Sequence, residues 1–261
     1  MISWNGCPSS AGTRTVRRYF YDWRNNGLLH EINRSLVAAA RRAEGRAAGP
    51  TAGVIDSQSV KTTESGGVRG YGAGKRINGR KRHIVTDIIG LLVGLAVHSA
   101  NIQDRDGAPD LLKSISATYP LLRHVFADGG YAGPKLNGSL KKFGRWTVQI
   151  VKRSDTVQGF EIIPRRWVIE RTLAWLGRCR RLAKNWEKAI ASAEAWLLIA
   201  HTRRVTRLSA RPRHHSASLE SDSEAASANR EQDHAACACG FQNANGTGRD
   251  AGDMRRLDHE C

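Results

Sequence analysis

Apolar runs are short in this chain: none approaches the roughly 18 residues a membrane span requires. The opening MISWNGCPSS lacks the charged-then-apolar order of a signal peptide. Cysteines are few, odd in number and unevenly placed (Cys7, Cys179, Cys237, Cys239, Cys261), which argues against a disulfide framework. These absences together predict a soluble, cytoplasmic protein. Acidic side chains are also scarce, with 24 Asp and Glu against 41 Lys and Arg and a formal charge of +17 over 261 residues. A hydrophobic share of 40% is slightly low for a packed chain and suggests that part of it does not join a core.

The charge is uneven. Beyond residue 208 the net charge is −3, which leaves +20 on residues 1–208. Such an excess points to a polyanionic partner, nucleic acid above all. The segment 209–261 is rich in Ala, Ser, Asn, Gly and charge, and its composition predicts a disordered tail. Its Cys237-Ala-Cys239 lacks the two-residue gap of a zinc knuckle, and no second pair follows at a fitting distance.

Residues 15–25 and 28–42 carry helical apolar stripes, Val16, Phe20 and Trp23 in one and Leu29, Ile32, Leu36 and Ala39 in the other. With a break at Asn26-Gly27 they predict a helical hairpin within an N-terminal segment 1–48. Its arginines suit either DNA contact or a solvated face. The main domain then spans 49–208. Strands are expected at 53–56, 83–89, 91–98, 122–127 and 146–151, and helices at 104–119, 134–143, 164–183 and 189–207. The order βββαβαβαα describes an α/β fold, a mixed five-stranded sheet flanked by helices.

Two acids stand where strands are expected to stop: Asp56 after Val54-Ile55, and Asp128 after Val125-Phe126-Ala127. Adjacent strand ends form the functional crevice of open α/β sheets. Clustered carboxylates repel and need a cation, and hard oxygen donors suit Mg²⁺ or Mn²⁺. On helix 164–183, Glu170 lies at the flank of the stripe Val168, Ile169, Thr172, Leu173, Leu176. From there it can lean over the sheet edge or pair with Arg166 one turn earlier. Lys75, Arg76, Arg80, Lys81, Arg82 and His83, placed just before the second expected strand, are the strongest candidates for phosphate contact. The glycine-rich loop ahead of them is not a P-loop, since no Gly-Lys-Ser/Thr ends it. Trp167, Trp175, Trp186 and Trp196 could stack bases, although core packing is the role their composition favours.

Four blocks carry a resemblance: Asp56-Ser-Gln-Ser-Val-Lys-Thr62, Gly79-Arg-Lys-Arg-His83, Phe126-Ala-Asp-Gly-Gly-Tyr131, and the helix running from Arg165 through Glu170 to Leu182. Taken in order, they resemble the DDE transposases of bacterial insertion sequences, in particular the IS-five-like family. The resemblance implies an RNase H-like catalytic domain and metal-dependent DNA cleavage and strand transfer at element ends. It implies two bound Mg²⁺ (or Mn²⁺) ions and a homo-oligomer in the transposition complex. It places Asp56, Asp128 and Glu170, 72 and 42 positions apart, on the catalytic, metal-holding triad. It places Arg166 on the arginine before the glutamate, with Arg178 as a further DNA contact. Where related signatures have Tyr and Lys, this chain has Ile163 and Gly177. Relatives carry a longer helical DNA-binding region in front, so the chain reads as a copy shortened at its N-terminus. The alternatives are a non-catalytic DNA-binding remnant and an RNase H-like nuclease without strand transfer.

Overall fold

A computed structural model describes residues 10–64, 66–142, 144, 146–151 and 164–210. The expected tail therefore lies almost wholly outside the described residues, as do its cysteines and Ile163.

Alternation in three strands builds the fold. The strands are β1 (Ala52–Lys61), β2 (Gly70–Gly72), β3 (Ile77–Asp87), β4 (Leu92–Ser99), β5 (His124–Ala127) and β6 (Thr147–Ile150). In β1, β3 and β5, neighbouring residues Val54 and Ile55, Ile84 and Val85, and Phe126 and Val125 point to opposite faces, and all six are buried. Ile55, Val85 and Val125 pack beneath α3 (Asp104–Ser116) and α4 (Pro134–Lys141), through Leu111, Leu112, Leu136 and Leu140. Val54, Ile84 and Phe126 pack beneath α5 (Pro164–Gly177) and α6 (Ile190–Ser209), through Ile169, Leu173, Leu197 and Leu198. A sheet with both faces covered by helices results, as the α/β, RNase H-like expectation requires.

The sheet order is β2-β3-β1-β5-β6, with β4 also on β3. Strand β1 is antiparallel to β3 and parallel to β5, and β5 is parallel to β6. The expected hairpin at Gly90 forms between β3 and β4, with Gly90 at a positive φ of 90° that favours glycine.

Four details differ from the sequence expectation. The first strand continues through Asp56 to Lys61, because Ser57–Lys61 pair with Gly79–His83 on β3. Asp56 is therefore mid-strand rather than terminal. A short sixth strand, β2, pairs with the start of β3. Helix α5 ends at Gly177 instead of near residue 183, and a separate single turn covers Arg180–Leu182. The basic block Arg80–His83 belongs to β3 itself, with consequences for its role described below.

At the N-terminus, α1 (Ser10–Asn25) and α2 (Leu28–Ala43) break at Asn26-Gly27 as expected. Of the stripe on α1 only Phe20 docks, stacking on Trp196 of α6 at 5.2 Å, while Val16 and Trp23 stay exposed. The buried face of α2 is Leu29, Asn33, Val37 and Arg41, rotated by about one position from the expected stripe. Its two polar members are satisfied internally. Arg41 pairs with the buried Asp87, and the Asn33 amide donates to the Leu92 carbonyl at 2.9 Å.

Candidate active site

The parity of β1 and β5 decides which way the acids point. Asp56 shares the face of Val54, and Asp128 extends the alternation of Phe126, so both project toward the side covered by α5. Pairing between β1 and β5 ends at Val54–Phe126, and two residues further each chain bears its aspartate. At that point the strands part. β1 continues along β3, while β5 turns into Gly129-Gly130, where the Gly130 N–H donates to Asp128 Oδ1 at 2.9 Å. The turn fixes one Asp128 oxygen and leaves the other directed at α5.

Helix α5 supplies Arg166 and Glu170, one turn apart on one face. The Arg166 guanidinium lies 3.3 Å from Glu170 Oε1 and 3.9 Å from Asp128 Oδ2, and so joins the two acids. Asp56 accepts a hydrogen bond from the Ser57 N–H at 2.7 Å. Burial, reinforced by the charge of Asp128, pushes the Asp56 carboxyl up to about 6, against the opposing Ser57 N–H, Lys75 and Arg166. The structure thus brings Asp56, Asp128, Glu170 and Arg166 into one region, with Lys75 at its rim, where its ammonium donates to the Ser57 carbonyl at 3.3 Å.

Among the described residues, no three His, Cys, Asp or Glu side chains gather closely enough to enclose a metal ion. The donor set nevertheless suits a hard divalent cation. Asp56 and Asp128 are oxygen donors; burial, with the Asp128 charge added to it, raises the Asp56 pKa, and added positive charge would relieve that cost. Glu170 is half exposed and pairs with Arg166.

The basic block behaves differently from its sequence expectation. Arg80, Lys81, Arg82 and His83 are all buried. The Arg80 guanidinium donates to the carbonyls of Val68, Glu187 and Lys188 at 2.6 to 2.8 Å. Arg82 donates to the Leu182 carbonyl at 2.7 Å, and burial lowers its pKa to about 10. Lys81 donates to the Ile102 carbonyl and to Asp104. These donors are spent inside the protein, so as phosphate contacts Arg80, Lys81, Arg82 and His83 are corrected to structural roles. Lys75, Arg76 and Arg178 remain exposed.

A polar chain beneath the site escaped the sequence reading. On the opposite face of β1, the Ser57 hydroxyl donates to Asp104 Oδ1 at 2.7 Å, and Lys81 reaches the same oxygen at 2.7 Å. Burial raises the Asp104 pKa, but the bonds from Lys81 and Ser57 outweigh it and hold the carboxyl below its ordinary value. His83 bridges the Tyr131 hydroxyl at 2.8 Å and His98 at 2.9 Å, and burial with the nearby His98 lowers its pKa to about 3. Helix α3 comes close to this histidine pair at Gly107, where a Cβ would fall 2.6 Å from His83 Nδ1. Asp104 at the start of α3 was the available signal, but its partners became visible only with the register of β1 on β3.

The transposase DDE domain family matches residues 47–203, three-fifths of the chain and all of the sheet. The chain belongs to the DDE transposase family. It is also 32% identical over 117 residues to the "Putative transposase for insertion sequence element IS402" of Burkholderia cepacia. That match covers 42% of this chain and 54% of the relative, so it spans about half the relative's length. No described helix of this DDE family member is long and apolar enough to cross a membrane.

Proposed function

We propose that this DDE family member is an insertion-sequence transposase that cleaves DNA strands at element ends and joins them to target DNA. The observation that carries the reading is the placement of Asp56 and Asp128 at corresponding positions of parallel neighbouring strands, with Glu170 linked to Asp128 through Arg166. Family membership supplies the reaction class.

In this reading Asp56, Asp128 and Glu170 hold two Mg²⁺ or Mn²⁺ ions. When bound, such ions supply charge stabilisation for in-line attack on phosphorus and an acidified water or 3′ hydroxyl as nucleophile. The chain contributes placement. β1 and β5 fix two carboxylates on one sheet face, and the Gly129-Gly130 turn orients Asp128. Burial keeps Asp56 dry enough for its charge to act strongly. Arg166 balances Asp128 and Glu170, and once their charge is met otherwise, its guanidinium is positioned to hold a phosphate oxygen. Lys75 and Arg76 lie at the rim as contacts for the DNA backbone.

Two assays test the proposal. Mg²⁺-dependent nicking of plasmid DNA, abolished by EDTA, is expected of the catalytic readings and not of a DNA-binding remnant. Joining of a pre-cleaved terminal-repeat oligonucleotide to target plasmid is expected of a transposase. Nicking without joining would instead support a nuclease, and neither activity would support a remnant.

A further inference from the structure

Helices α5 and α6 leave a cavity of about 330 Å³ at their C-terminal ends, away from the carboxylates. Its lining includes Trp175, Arg178, Arg203, Arg204 and Arg207 and, among the described residues, no acidic one. Arg203, Arg204 and Arg207 fall on one face of α6 by their three- and four-residue spacing. Trp175 on α5 and Arg178, just past the end of that helix, face them.

Trp175 organises the floor. The Arg204 guanidinium lies 3.9 Å from the centre of its ring, and Arg171 lies 5.0 Å away. Arg204 donates to the Gly90 carbonyl at 2.6 Å and Arg171 to the Ile89 carbonyl at 3.2 Å, which pins both to the β3–β4 turn. Their Nε atoms are buried without a hydrogen-bond partner in the structure. Burial and the neighbouring Arg171 lower the Arg204 pKa to about 10. Among the described residues, the acid that acts on Arg204 is Asp87, which already pairs with Arg41. Among the described residues, Arg178, Arg203 and Arg207 have no ion pair.

Cations at helix C-termini gain from the helix dipole, which accounts for one or two basic residues in a last turn. It does not account for four guanidinium groups lining one cavity beside a tryptophan, with a fifth, that of Arg171, on the same ring. Such an arrangement carries its own repulsion and is relieved by an anion. Arginine forks favour phosphate, and an aromatic floor is a frequent companion of nucleic-acid sites.

We propose that this cavity binds backbone phosphates of duplex DNA, as a second DNA-holding site separate from the carboxylate centre. The inference rests on the reading of the chain as a protein that acts on DNA. Gly177, the last residue of α5 and the neighbour of Arg178, lies seven residues beyond Glu170, about 10 Å along the helix axis. The cavity opens on the α6 flank of α5, whereas Glu170 and Arg166 face Asp128. The site therefore grips a stretch of DNA other than the phosphate under attack. Arg203 and Arg207 supply the exposed phosphate contacts, and Arg204 on Trp175 supplies the fixed charge behind them.

The test is binding of the full chain to a random-sequence duplex in EDTA, followed by fluorescence anisotropy over a range of salt. The Arg203→Ala/Arg207→Ala variant should lower the slope of log affinity against log salt by about 1.8, from roughly 0.9 per lost phosphate contact. Arg203→Lys/Arg207→Lys should keep most of the slope, because the charges remain. The control Lys113→Ala/Lys141→Ala removes equal charge from exposed positions on α3 and α4 and should leave the slope unchanged. Thermal melts check that the alanine variants are folded. A slope retained by Arg203→Ala/Arg207→Ala, or lowered equally by the control, overturns the inference while leaving the DNA reading intact. A wild-type chain that binds no duplex overturns the DNA reading itself.

Discussion

Asp56 on β1 and Asp128 at the end of β5 stand at corresponding positions, two residues past the last pairing of the two parallel strands. Their separation in sequence is 72 residues, yet strand alternation alone turns both toward α5. That relationship divides the chain's charged residues into those that meet substrate and those that hold the protein together, and the predictions below follow from the division.

Arg80 belongs to the second group. Arg80→Ala should leave the carbonyls of Val68, Glu187 and Lys188 without their donor and lower stability by about 2 to 4 kcal/mol. Arg80→Lys should rescue little, since a single ammonium cannot reach three carbonyls in the fork geometry. The measurement is the urea midpoint; a variant as stable as wild type would return Arg80 to the list of DNA contacts.

Lys75 and Arg76 belong to the first group. Both are exposed. Lys75→Ala/Arg76→Ala should weaken binding to all DNA sequences alike and reduce the salt slope by about 0.9 per lost contact. Its melting temperature should change little. A fall in stability with an unchanged slope would reverse the assignment.

Much of this division was open to inspection in the sequence, and part of it was not. Alternation at Val54-Ile55, Val125-Phe126 and the segment around Ile84 marks strands buried on both faces, and Asp56 and Asp128 are recognisable beside them. The basic run Gly79–Arg82 reads as a segment ahead of the strand expected at 83–89, because charged residues rarely fill a central strand. It becomes a strand only because β1 and β4 pair with it on either side and local carbonyls absorb its donors. The buried face of α2 was misjudged for the same reason, since Asn33 and Arg41 look like solvated residues until Leu92 and Asp87 are placed opposite them. The cavity at Trp175 is equally hidden, for its arginines come from two helices that meet only in the folded chain.

His201 gives the fold a pH dependence. It is buried, accepts from the Leu92 N–H at 3.0 Å and bonds Asn33 Oδ1 at 2.6 Å, so it is held neutral with Nδ1–H donating to Asn33. Burial lowers its pKa to about 3, below the unfolded value of 6.5. The unfolded chain therefore takes a proton that the folded chain refuses. The contribution of His201 is fully present above about 6.5 and is lost as pH falls toward 3, at up to roughly 1.4 kcal/mol per pH unit. Asp56, raised to about 6, acts in the opposite direction over part of that range. The informative quantity is therefore the difference between wild type and His201→Gln in urea unfolding at pH 7.5 and pH 5. Wild type should lose more stability than the variant on acidification, and parallel losses would contradict a neutral buried His201.

Packing at Gly107 can be tested separately. A Cβ at this position meets His83 Nδ1 at 2.6 Å and His98 Nε2 at 2.7 Å. Gly107→Ala should cost about 1 to 3 kcal/mol through overpacking, despite the better helix propensity of alanine. A more stable variant in thermal melts would mean that α3 is free to lift from the histidine pair.

The most direct test of the central claim is single-strand cleavage of duplex DNA in Mg²⁺ by wild type, Asp56→Asn, Asp128→Asn and Glu170→Gln, with DNA binding measured on the same preparations in EDTA. Each substitution removes one proposed metal ligand and no phosphate contact, so cleavage should fall by several orders of magnitude while affinity for DNA stays near wild type. Wild-type cleavage by any one variant would contradict the assignment of that residue to the catalytic centre.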